Sequence, residues 1–211
     1  MNNPQEQLET LREIRELMAK SSRFLSLSGL SGVFAGLYAM VGAFAAWYFL
    51  GLGTSGNYYD HVYERGETYN FDVLSFFLMD AMLVLGLSLL TGYLLTRRKA
   101  RKAGHSMFGA TAFRLLINLF LPLAVGGIFC LLLLHHRMVG LVAPSTLIFY
   151  GLALLNASKY TLNDIRYLGV AEILLGLIGC YFIGHGLLIW AIGFGVLHIV
   201  YGAYMYFKYD R

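Results

Sequence analysis

The chain has 211 residues, of which 58% are hydrophobic and only 13% charged, against about 25% charged in an ordinary soluble domain. Its formal net charge is +4 and its sequence pI is 9.0. This composition excludes a soluble globular domain, and the basic residues lie beside the ends of apolar runs, so no nucleic acid is expected as a partner.

The first 23 residues are polar and form the first of two expected units, a cytoplasmic amphipathic helix. Pro4 suits a first helical turn. Leu8, Leu11, Ile14 and Met18 recur at helical spacing, with Glu6, Glu9, Glu13, Glu16, Arg12 and Arg15 around the rest. Acidic and basic residues balance up to Arg23, whereas a surface-lying membrane helix carries a Lys/Arg-rich polar face. This segment is therefore expected to pack against the protein's own cytoplasmic face or against a dimer mate. No cleavage site follows, so the first apolar run reads as a signal anchor.

Residues 24–211 form the second unit, a single all-α transmembrane domain. Its apolar runs are Phe24–Leu50, Val73–Leu95, Leu115–Leu134, Leu141–Ala157, Leu168–Ile183 and Leu187–Phe207. Crossing about 30 Å of hydrocarbon takes roughly 20 residues, so the fourth and fifth runs span only if their polar ends reach the headgroups. Read as six helices in three antiparallel hairpins, the chain places all its Lys and Arg on one side except Arg65 and Arg137. Such loops obey the positive-inside rule, which puts both termini in the cytoplasm. Thr161-Leu-Asn-Asp164 resembles a capping box for the fifth helix. Ser28, Gly32 and Gly36, then Gly169, Gly176 and Gly179, then Ala191, Gly195 and Gly202 form small-residue stripes suited to close helix packing. Tyr201, Tyr204, Tyr206, Phe207 and Tyr209 make an inner aromatic belt, with Trp47, Tyr48 and Trp190 at the outer interface.

Five stretches carry a resemblance: Arg23-Phe-Leu-Ser-Leu-Ser-Gly-Leu-Ser-Gly32, Leu116-Ile-Asn-Leu119, Gly140-Leu-Val-Ala-Pro-Ser-Thr-Leu-Ile-Phe-Tyr-Gly151, Asn156-Ala-Ser-Lys-Tyr-Thr161 and Gly193-Phe-Gly-Val-Leu-His-Ile-Val-Tyr-Gly202. Through them the chain resembles, over nearly its whole length, a family of small bacterial polytopic membrane proteins with no assigned reaction. The resemblance implies six helices and a bacterial inner membrane. It implies no substrate, cofactor or partner.

Ionisable groups inside a membrane cost about 2.5–3.5 kcal/mol on insertion scales and are functional candidates. Glu172 lies between Gly169 and Gly176, and His198 between Gly195 and Gly202. Glu172 precedes and His198 follows the turn at His185 by the same interval, which sets both about 20 Å below it. They are expected to face each other, as a structural polar clamp or as a proton or ion site. Asp80 sits inside the outer end of the second helix, with Ser88 and Thr91 continuing its face, and could pair with Arg137 or the outer histidines. Asn118 and Asn156 are expected to cross-bond between the third and fourth helices, and Pro122 to kink the third. His61, His135, His136 and His185 fall on the outer side, where imidazoles could hold a divalent metal, although interfacial side chains are the more ordinary reading. Cys130 and Cys180 read as small buried residues. No HExxH, GxSxG or P-loop appears, so an enzyme has no positive support and no cofactor is expected.

Two functions compete. One is an accessory, sensory or structural component whose partners are the lipid bilayer and either a second copy or another membrane protein. The other is a small-solute or proton-coupled transporter using Asp80, Glu172 and His198. The absence of an inverted repeat weighs against the transporter.

Overall fold

The computed structural model describes residues 27–51, 70–102 and 109–211. The expected amphipathic helix of the first 23 residues lies outside this set. Helix makes up 91% of the described residues, and no strand occurs among them. We number the helices α1 (Gly29–Leu50), α2 (Phe71–Lys102), α3 (Ala110–His135), α4 (Val139–Tyr160), α5 (Ile165–Tyr181) and α6 (Ile183–Tyr209). All except α5 are long and apolar enough to cross a membrane. The chain is thus a membrane protein built as a helix bundle. At 17 residues, α5 is about 26 Å long, slightly under the hydrocarbon thickness.

Glycine decides where helices touch. Along the α1–α6 seam, a Cβ on Gly29 would lie 2.2 Å from the Tyr206 backbone nitrogen, and one on Gly202 would lie 2.4 Å from that of Val33. Along the α4–α5 seam, a Cβ on Gly151 would lie 2.5 Å from the Gly169 carbonyl oxygen. No other residue permits that backbone approach, which is how helices gain dispersion contacts in lipid. These two seams are the most extensive in the bundle, and each joins helices from different sequence-predicted hairpins.

The bundle is markedly uneven. Only 6% of the apolar window is buried in α2, and the same share in α3. Helix α2 packs mainly on α1, and α3 mainly on α4, so both turn most of their apolar side chains outward, as lipid permits. Two apolar clusters hold the ends: Leu50, Val73 and Val139 at one, and Leu154, Leu162, Ile165, Leu168 and Met205 at the other.

Two expectations need correction. Helix α2 continues past Leu95 to Lys102, because Thr96 and Ala100 are buried and Lys99 is anchored by ion pairing. Asp164 does not cap α5 with its side chain. Its carboxylate accepts instead from Lys208 Nζ at 2.6 Å and Tyr209 Oη at 2.7 Å, while Tyr201 donates to its backbone carbonyl. Asp210 does the capping elsewhere: its Oδ2 accepts from the Gly29 amide at 2.9 Å and Ser28 Oγ at 3.0 Å, and its Oδ1 from Lys99 Nζ at 2.5 Å. The C-terminal end of α6 thereby supplies the negative charge that the start of α1 lacks.

Candidate functional site

Between the two apolar clusters lies a polar one. Helix α5 presents Glu172 from the stripe of Gly169 and Gly176, helix α6 presents His198, and helix α4 presents Tyr150. Glu172 is 0% exposed and His198 6%. His198 Nδ1 lies 3.1 Å from the Gly193 carbonyl oxygen and 3.3 Å from Glu172 Oε1. His198 Nε2 lies 2.8 Å from Tyr150 Oη. An Nδ1–H donating to Gly193, with Nε2 accepting from the tyrosine hydroxyl, satisfies both ring nitrogens.

That arrangement leaves the carboxyl group stranded. Neither Glu172 oxygen has a hydrogen-bond partner among the described residues. The 3.3 Å approach of Oε1 to the imidazole is therefore an electrostatic contact without hydrogen-bond alignment. A buried polar group left unpaired costs about 1–3 kcal/mol, and an ionised one far more. Among the described residues, the two Glu172 oxygens are the buried side-chain polar atoms left without a partner.

The local backbone accommodates it. Residues Ala191–Leu197 of α6 form a π-helix, between α-helical Gly186–Trp190 and His198–Tyr209. Such wide turns are rare and concentrate at functional sites. A Cβ at Gly193 would lie 2.6 Å from Glu172 Oε2 and 2.5 Å from Leu147 Cδ2, so the carboxyl occupies space that only glycine leaves open. Phe194 roofs the cluster, with ring centroids 5.0 Å from Tyr150 and 5.8 Å from His198.

The remaining candidates are dispersed. Asp80 is half-buried against Gly42, where a Cβ would meet both carboxylate oxygens at 2.9 Å. The Asp80 carboxylate turns inward to α1. Ser88 Oγ donates to its own helix at Val84, and the Tyr38 and Thr91 hydroxyls meet at 3.1 Å. Asn156 Nδ2 donates to the backbone carbonyl of Asn118 at 3.1 Å, while the Asn118 amide turns to Arg114. The two side chains therefore do not bond to each other. His135 and His136 stack edge to face at 5.1 Å. Among the described residues no three metal-ligating side chains converge, and His61 lies outside that set. Both cysteines are free and partly buried. A cleft of 380 Å³ lies along Leu94–Lys102 and one of 230 Å³ along Gly109–Leu116; neither is lined by Asp80, Glu172 or His198.

Sequence reasoning missed Tyr150 and Gly193. A tyrosine in mid-helix, far from either aromatic belt, was the available signal for the first. The π-helix that aims the Gly193 carbonyl has no equivalent signature in the sequence. No protein-family model, curated protein or solved structure matches the chain.

Proposed function

We propose that this protein is an accessory, sensory or structural component of a bacterial inner membrane. In this reading its six helices form three hairpins, and both ends of the chain face the cytoplasm. The observation that supports a non-transporting role is the sealed state of its central polar cluster: Glu172 is 0% exposed, and neither cleft reaches it. A solute path needs groups that a solute can touch, whereas the Tyr150–His198 link between α4 and α6 needs only mutual contact. The side-to-side imbalance of Lys and Arg supports the orientation.

The test is the full chain in sealed vesicles with a pH-sensitive dye inside. Under an imposed proton gradient, flux no greater than that of empty vesicles agrees with the proposal. Flux that disappears in Glu172→Gln overturns it. Orientation is read separately: a cysteine at Gly56 is labelled by an impermeant reagent from outside, and one at Gly104 is not.

A second reading, proton-coupled transport, draws on one specific observation: both Glu172 oxygens lack partners. Evolution removes such groups readily unless they act, because replacing a buried polar group with an apolar one is often neutral or stabilising. In this reading Glu172 and His198 exchange a proton in mid-membrane and Asp80 receives it nearer the outer surface.

A further inference from the structure

We propose that the cytoplasmic end of α2 binds the phosphodiester headgroup of an anionic phospholipid on the helix face formed by Leu94, Arg97, Arg98, Arg101 and Lys102. These residues border an open groove along one face of α2. The name of the side rests on the orientation proposed above; the site itself rests only on the membrane reading.

The first argument is charge. Two acidic side chains stand at this end of the described bundle, and both are engaged: Asp210 with Lys99 and Asp164 with Lys208. Arg97, Arg98, Arg101 and Lys102 have no acidic partner among the described residues and are exposed. Four cations on two turns of one helix repel one another at about the strength of like-charged i,i+4 pairs, and a shared counter-anion relieves that repulsion.

The second argument is direction. At 3.6 residues per turn, successive side chains are about 100° apart. Taking Leu94 as the reference, Arg101 lies within about 20° of it, Arg97 and Lys102 lie about 60–80° to either side, and Arg98 about 40° away. The buried face of α2, Thr96 and Ala100, lies on the far side of the helix. Lys99 also points inward, to Asp210 and the Leu27 carbonyl. This face therefore points away from the other described helices, as a lipid-facing side would.

The third argument is depth. From Val73, about 30 Å of hydrocarbon is crossed near Tyr93 or Leu94. Leu94 is 52% exposed and Tyr93 43%, and Arg97 lies over the Tyr93 ring at 5.9 Å. Acyl-chain surface below and guanidinium groups above, within about 10 Å along the helix, match an amphiphile with an anionic head. Free phosphate shares the guanidinium chemistry but makes no use of Leu94. A zwitterionic lipid brings its own cation to the four already present.

The full chain in detergent is titrated with phosphatidylglycerol, phosphatidylcholine or inorganic phosphate. Retained lipid is read by native mass spectrometry and stability by thermal midpoint. Phosphatidylglycerol is retained in preference to phosphatidylcholine. Each of Arg97→Gln, Arg98→Gln and Arg101→Gln weakens that retention about fivefold, the effect of roughly one kcal/mol per surface cation. Arg211→Gln leaves it unchanged. Leu94→Ser weakens lipid retention without altering the response to inorganic phosphate. Equal retention of the two lipids by the wild-type chain overturns the proposal, as does unchanged retention in the triple arginine variant. Displacement of the lipid by an equal concentration of inorganic phosphate overturns the lipid assignment in favour of a simple anion site. Should the triple variant fail to fold, the wild-type chain decides: the preference falls as salt rises, and a preference unmoved by salt overturns the proposal.

Discussion

The Asn156 side chain donates its amide to the Asn118 carbonyl oxygen at 3.1 Å, and Asn118 is the residue whose carbonyl Pro122 leaves without a helical donor. Proline has no N–H, so the i→i−4 bond from position 122 to position 118 cannot form. Helix α3 nevertheless runs unbroken from Ala110 to His135. A side chain from α4 replaces the missing bond, as neighbouring helices do for prolines in membranes. Asn156→Leu is expected to cost about 1 kcal/mol, the scale of an interhelical bond in lipid. Pro122→Ala restores the backbone donor, so Asn156→Leu in that background costs measurably less. Equal costs in both backgrounds, measured by thermal or denaturant unfolding in detergent, would show that the asparagine serves something other than the proline.

Tyr150→Phe removes the donor to His198 Nε2 and leaves a buried ring nitrogen unpaired. Its expected cost is about 1–3 kcal/mol. Glu172→Leu behaves differently. Both of its carboxyl oxygens lack partners, so an apolar group of similar volume is expected to be neutral or stabilising. A loss above about 2 kcal/mol would mean that the carboxyl has a structural bond and that the cluster is a clamp through Glu172 as well as through Tyr150.

The sequence made the pair Glu172 and His198 legible because helix geometry converts residue count into depth. Equal intervals from the turn at His185 put the two at one level, and the flanking glycines turned both toward a neighbour. The structure sets them 3.3 Å apart. Tyr150 was not legible in the same way, since its partner is fixed by the α4–α5 and α6 packing rather than by spacing. Asp164 illustrates the opposite failure. Its local motif reads as a cap, but Lys208 and Tyr209 arrive from the far end of the chain and claim the carboxylate. Local propensity loses there to charged partners that only the tertiary fold brings near. The six apolar runs located the helices because length and hydropathy depend on no partner. The apolar run ends at Leu95 while α2 continues to Lys102, because Lys99 pairs with Asp210, which only the tertiary fold brings near.

Asp210→Ala tests that long-range cap. The substitution strips acceptors from the Gly29 amide, Ser28 Oγ and Lys99 Nζ together. The expected loss is about 1–2 kcal/mol, the upper range for a helix cap. Because Lys99 then stands uncompensated, Lys99→Met should recover part of the stability. A double variant no more stable than Asp210→Ala would show that the ion pair contributes little and that the cap to α1 carries the effect.

Asp164 makes a pH-dependent contribution. Burial disfavours its charged form, but hydrogen bonds from Lys208 and Tyr209, with the Lys208 charge, outweigh that and hold the carboxyl below its ordinary value of 3.8. A carboxyl whose folded value is depressed binds its proton more readily when unfolded. Its stabilisation is therefore present above the unfolded value and lost as pH falls through the folded one. Wild-type protein should melt above Asp164→Asn by a constant margin from roughly pH 5 to pH 8, and the margin should close below about pH 4. Lys208→Met should shrink the margin across the whole range, since it removes both a donor and the charge. A margin that widens as the solution is acidified, measured in the same detergent at fixed ionic strength, would mean that the carboxyl is held neutral in the folded chain and that the ion pair with Lys208 does not form.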